Sequence, residues 1–140
     1  MEDELAQAII EEAYRNPRFR REGELGDGAV LVTNPLCGDE VWIEAMEGEN
    51  GMEFRFDGQG CAVSQAGAEL TCSVLNGKNK EEASSLAESL QKWLEGQGPF
   101  PEEASKAEAL CLIKRIPERV RCALLGSEGA RKAVESAEVG

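Results

Sequence analysis

Val41-Trp42-Ile43-Glu44-Ala45-Met46-Glu47-Gly48-Glu49-Asn50-Gly51-Met52-Glu53-Phe54-Arg55-Phe56 is the stretch that decides the fold. Two β-prone runs flank a polar turn at residues 47–51. The Asn50-Gly51 step tolerates the positive φ angles of tight hairpin turns. In the second run Met52, Phe54 and Phe56 fall on one face and Glu53 and Arg55 on the other, because strand side chains alternate with period two. A hairpin with one apolar and one wet face belongs to an antiparallel sheet. Just upstream, Ala29-Val30-Leu31-Val32-Thr33 predicts a third, short strand.

On both sides of the hairpin the period changes to that of helices. Residues 3–15 place Leu5, Ile9 and Tyr14 on a broad apolar face that Asn16-Pro17 should end. Residues 18–28, basic and then Gly-rich, read as loop. After Gly60, residues 61–75 are alanine-rich with helical spacing, and Asn76-Gly77 can supply a left-handed cap. Residues 80–94 turn Leu86, Leu90, Trp93 and Leu94 inward. Gly96-Gln97-Gly98-Pro99 breaks that helix, and a further helical stretch runs from Pro101 toward Ile113. Pro117 suits the first turn of a last helix reaching about Val134. Helix, strands and then helices give an α+β fold: a small antiparallel three-stranded sheet packed against several helices. At 140 residues the chain is expected to form one domain over residues 1–140.

The balance of 15 basic against 27 acidic residues, a net charge of −12, argues against nucleic acid as a partner. It equally disfavours anionic membrane surfaces, and no apolar run approaches the roughly 20 residues of a membrane span. The acidic start Met1-Glu2-Asp3-Glu4 has no apolar signal core, so a cytoplasmic protein is expected. Five cysteines in a reducing compartment point to metal binding or reactive sulfur rather than to disulfides.

There is no histidine. Metal or sulfur chemistry must therefore use thiolates and carboxylates. Cys37 lies in Asn34-Pro35-Leu36-Cys37-Gly38-Asp39 before the first hairpin strand, and Cys61 lies in Gly58-Gln59-Gly60-Cys61-Ala62 after the second. A hairpin brings its two ends together, so Cys37 and Cys61 should be neighbours although 24 positions apart (61 − 37). Cys61 also opens a helix, where the dipole favours negative charge. Asp39 adds an oxygen donor, and Cys122, early in the last helix, is placed to come in from across the fold. Three thiolates and a carboxylate suit zinc or an iron–sulfur cluster. Asp39, the harder donor, would be the exchangeable one. No Cys-x-x-Cys pair is present, so spacing alone leaves incidental cysteines open. Cys72 and Cys111 read as small core residues, Trp42 and Trp93 as core or partner contacts, and Arg18 and Arg20 as a solvated basic patch.

Three motifs in order resemble the U-type iron–sulfur assembly proteins, the IscU, SufU and NifU N-terminal (SufE/NifU-like) family. They are Asn34-Pro35-Leu36-Cys37-Gly38-Asp39, Phe56-Asp57-Gly58-Gln59-Gly60-Cys61-Ala62-Val63-Ser64 and Pro117-Glu118-Arg119-Val120-Arg121-Cys122-Ala123-Leu124-Leu125. The resemblance implies that Cys37, Asp39, Cys61 and Cys122 form a site that receives sulfur from a cysteine desulfurase, binds zinc, or carries a nascent iron–sulfur cluster. Family members of the IscU type have a histidine just before the third cysteine, where this chain has Arg121. The 61 positions between Cys61 and Cys122 (122 − 61) match the longer SufU form. The resemblance therefore favours a SufU-like zinc-dependent sulfur acceptor, at most a sulfurtransferase. Cys122 would take the persulfide sulfur, Arg119 and Arg121 would steady it, and a downstream scaffold or apo-protein would receive it. The alternatives are a cluster scaffold and a structural zinc module. Gly67 stands where the family commonly has serine, and Glu12-Ala13-Tyr14 where it usually has a histidine.

Overall fold

The computed structural model describes residues 1–139. Helix α1 spans Asp3–Arg15. Strands β1 (Val30–Asn34), β2 (Asp39–Gly48) and β3 (Gly51–Gln59) follow, then α2 (Ala62–Leu75) and α3 (Lys80–Leu94). A 3₁₀ segment, Glu102–Leu110, runs into the short α4 (Cys111–Lys114), and α5 (Pro117–Val139) closes the chain. This is the expected α+β fold: one antiparallel sheet in the order β1-β2-β3 with helices packed on it.

The hairpin forms where the alternation predicts, but both strands run further toward the cysteines. Ile43 pairs with Phe56 and Glu40 with Gln59, so the ladder ends beside Asp39 and Gly60. At the other end Gly48 pairs with Gly51 across a two-residue turn, Glu49-Asn50. Gly51, not Asn50, takes the positive φ, at 114°. A side chain at Gly51 would run into the Gly77 carbonyl, because the α2–α3 turn docks there through Gly77 N–H to Met52 O (2.8 Å) and Met52 N–H to Lys78 O (2.7 Å).

The inner face of the sheet, Val32, Val41, Ile43, Met52, Phe54 and Phe56, is buried against α2 and α5. Those two helices cross closely. A Cβ on Gly126 would stand 2.7 Å from the Gly67 carbonyl, and one on Gly67 would stand 3.0 Å from the Ala123 carbonyl. Gly67 thus brings the early turns of α5, which carry Cys122, against α2. Cys72 lies fully buried in the core; Cys111 is half-buried at its margin.

The helical stretch expected after Pro101 is a 3₁₀ segment over residues 102–110, burying Ala104, Ala107, Ala109 and Leu110. One expectation is corrected. Arg20 is not a solvated patch: it donates to Asp57 (3.2 Å), Gln65 (2.9 Å) and the Gly58 carbonyl (2.8 Å). Its segment runs along the outer edge of β3, with Phe56 N–H bonded to Phe19 O and Arg21 N–H to Phe56 O. Sheet edges left bare invite unwanted pairing. The carboxylate of Glu69 on α2 fixes the same segment by accepting the N–H groups of Arg18 (3.0 Å) and Phe19 (2.9 Å).

Candidate functional site

The β1–β2 turn is built on Asn34. Its carbonyl accepts the N–H groups of Cys37 (3.1 Å) and Gly38 (2.9 Å), and Gly38 adopts φ 72°. This tight turn leaves Cys37 exposed at its tip and starts β2 at Asp39, which is only 1% exposed. Beside Cys37, Leu36 is 94% exposed.

Asp39 reaches across to the far end of the hairpin. Its Oδ1 accepts the Cys61 N–H at 2.8 Å, and its Oδ2 lies 3.7 Å from Cys61 Sγ. Cys61 is the N-cap residue of α2 but makes no side-chain cap there, so its sulfur is free for other partners. Gly60, at φ 142°, makes the approach possible, because any side chain on it would strike the Asp39 carboxylate.

Cys122 enters from α5. It is fully buried, with its Sγ 3.7 Å from Cys37 Sγ and accepting the side-chain N–H of Asn34 at 3.4 Å. The sulfurs of Cys37 and Cys122 and a carboxylate oxygen of Asp39 all lie within 4.8 Å of one another. Cys61 touches this trio through Asp39 and is not part of that mutually close set. Burial pushes the Cys122 thiol far above its ordinary range; the Asp39 hydrogen bond and the nearby Cys61 reinforce this, and the Asn34 donor opposes it.

Arg119 stands at the mouth, exposed, with its guanidinium pKa raised first by hydrogen bonding to Cys122 and then by the charges of Cys61, Cys122 and Cys37. Arg121 faces elsewhere. It pairs with Glu128 at 2.6 Å and reaches the Thr33 carbonyl at 3.5 Å. The expectation that Arg121 steadies the sulfur is thereby corrected: Arg121, one position before Cys122, projects about 100° away around the helix, whereas Arg119, three positions before, lies within about 60°. In the sequence Asn34 is one residue of the motif before Asp39; its position three residues ahead of Cys37, opening a turn, is the signal that marks it.

The donor set fits a tetrahedral soft metal. Two sulfurs bound to one zinc at about 2.3 Å stand about 3.8 Å apart, and Cys37 and Cys122 stand 3.7 Å apart. Cys61 stands next to this set, its Sγ 3.7 Å from Asp39 Oδ2.

Residues 5–137 match the model of the NifU-like N-terminal domain. The chain belongs to this family. It is 31% identical over 134 residues to the iron–sulfur cluster assembly scaffold protein IscU of Streptococcus pyogenes, covering 94% of this chain and 83% of that one. It is 30% identical over 141 residues to the zinc-dependent sulfurtransferase SufU of Bacillus subtilis, covering 99% and 95%. The crystal structure of the N-terminal NifU-like protein of Brucella abortus superposes with a TM-score of 0.80 over 98% of this chain and 96% of that one. At 19% identity, that likeness speaks for the fold alone. Among the described residues no helix is long and apolar enough to cross a membrane.

Proposed function

We propose that residues 1–140 act as one NifU N-terminal-like domain in iron–sulfur cluster assembly. The chain works in the cytoplasm as a zinc-dependent sulfur acceptor, taking persulfide sulfur from a cysteine desulfurase and passing it to a downstream scaffold or apo-protein. The observation that carries this reading is one exposed sulfur, Cys37, beside one buried sulfur, Cys122, at 3.7 Å, with the Asp39 carboxylate against both. The zinc-dependent relative of similar length supports the metal. Cys37, Asp39, Cys61 and Cys122 would hold the zinc, which when bound keeps its thiolates deprotonated.

Exposure bears on which sulfur receives first. The family position points to Cys122, but a partner's persulfide cannot reach a side chain with no exposed surface. Cys37, at the tip of its turn, can be reached. The Cys37 thiolate attacks the outer sulfur of the desulfurase persulfide. A new S–S bond forms on Cys37, the old S–S bond breaks, and the desulfurase cysteine leaves as a thiolate with the bonding electron pair. Asp39 holds the Cys61 N–H, and with it the start of α2, in place during the exchange. Arg119 at the mouth offers positive charge to the anionic persulfide.

The same donors suit a cluster as cargo, and a relative named as a scaffold favours this second reading. Incubation of the zinc-loaded chain with a cysteine desulfurase and cysteine, followed by alkylation and mass spectrometry, separates the two. We expect one added sulfur on Cys37, absent in Cys37→Ser and retained in Cys122→Ser. Sulfur on Cys122 that persists in Cys37→Ser would return the acceptor role to Cys122. No added sulfur, together with a cluster transferable to apo-ferredoxin after anaerobic reconstitution, would establish the scaffold. Neither activity, with unfolding on chelation, would leave a structural zinc.

A further inference from the structure

Cys37 and Cys122 are 3.7 Å apart, yet one is exposed and the other fully buried. Asn34 hydrogen-bonds to both residues. It is the last residue of β1, 2% exposed, and pairs with Asp39 in the ladder. Its carbonyl accepts from Cys37 N and Gly38 N, which folds the turn that turns Cys37 outward. Its side-chain amide donates to Cys122 Sγ from within the protein, at 3.4 Å.

The two contacts pull the sulfurs in opposite directions. An N–H donor draws electron density from a sulfur, weakens it as a nucleophile and costs free energy to abandon. Among the described residues Cys37 Sγ has no comparable N–H donor; its one sulfur contact is Cys122. We propose that Asn34 is the positioning residue that makes the two sulfurs inequivalent: its carbonyl presents Cys37 to a partner, and its amide keeps Cys122 inside as the retained donor. The inference rests on the sulfur-acceptor reading for its purpose, but not for its geometry.

Asn34→Ala separates the two roles, because it keeps the backbone carbonyl and removes only the amide. Asn34→Asp keeps the size and removes the N–H, so a folding failure of the first variant leaves the second to decide. In the metal-free chain, iodoacetamide labelling of each cysteine is followed by mass spectrometry. Loss of one net hydrogen bond of about 1 kcal/mol predicts about fivefold faster labelling of Cys122. Cys37 should label as in the wild type, and Cys72, also fully buried, serves as the gauge of general loosening. In the cobalt-loaded chain the sulfur-to-cobalt charge-transfer band should move to lower energy, a change that loosened packing alone would not produce. Cys122 and Cys72 labelling faster by the same factor, or an unmoved cobalt band, would overturn the assignment. If both readouts respond to Asn34 while no desulfurase loads the wild-type chain, the acceptor reading fails and Asn34 stands. If a desulfurase loads the wild-type chain while neither readout responds, the reverse holds.

Discussion

Replacing Gly60 by alanine tests whether the meeting of the two hairpin ends is as close as the geometry makes it. Gly60 sits at φ 142°, where an L side chain is strained, and a Cβ there would meet the Asp39 carboxylate and stand 2.9 Å from Asp39 Cα. The backbone strain costs about 1–3 kcal/mol. The carboxylate cannot yield freely, because Asp39 is 1% exposed and its Oδ1 holds the Cys61 N–H at 2.8 Å. Losing a hydrogen bond to a charged group costs about 1.5–3 kcal/mol more. Against a typical stability of about 5–15 kcal/mol the variant stays folded but weakened. Its melting temperature should fall by on the order of 10–15 °C. Disturbing a group that orients a metal-site residue, as Asp39 does through the Cys61 N–H, typically lowers affinity about 10- to 100-fold. Circular dichroism melting reads the first effect, and zinc competition with a chromophoric chelator reads the second. A Gly60→Ala protein that melts with the wild type and binds zinc equally well would refute the reasoning, since the turn would then have room that the contacts deny.

Arg121→His should not add a nitrogen ligand, because position 121 faces Glu128 and the Thr33 carbonyl rather than Cys122. Metal content and cobalt spectrum should match the wild type, with stability lower by about 1 kcal/mol or less, as for a partly exposed ion pair; a new nitrogen-ligand signature would contradict this geometry. Acid should weaken the fold through Asp57 and Glu128. Burial alone would raise both carboxyls, but Gly23, Gly58 and Arg20 hold Asp57 below its ordinary value, and Arg121 and Lys132 do the same for Glu128. A carboxyl depressed in the folded state contributes fully above its unfolded value of about 4 and loses that contribution as pH falls through the lower folded value. Denaturant titrations at pH 7, 4 and below should show stability nearly flat to about pH 5 and then falling. Arg20→Ala should flatten the Asp57 share of that fall, and an unchanged slope would argue against the pairing.

The elements were legible because they depend on neighbours along the chain. The alternation of Met52, Phe54 and Phe56 is a local pattern, as is the spacing of Leu86, Leu90, Trp93 and Leu94, and all are buried as that spacing requires. The helical stretch after Pro101 was legible too, but not its 3₁₀ type, because its alanines suit either helix. Arg20 was misread because its partners Asp57, Gly58 and Gln65 lie some forty positions away, on the far strand and the helix that follows it.

The sequence by itself determined the α+β class, the placing of Cys37 and Cys61 at the same end of one hairpin, and, by the absence of histidine, that any metal or sulfur site draws on sulfur and carboxylate. Only the tertiary structure decided which sulfur faces outward. Cys37 is exposed because the Asn34 carbonyl folds its turn, and Cys122 is buried because Gly67 and Gly126 let α5 press against α2. It also decided that Arg121 turns away from the sulfurs, to Glu128 and the Thr33 carbonyl. The physical reason is common to all three: local pattern fixes the helix and strand periods, whereas burial and side-chain direction depend on residues that only the packed fold brings together.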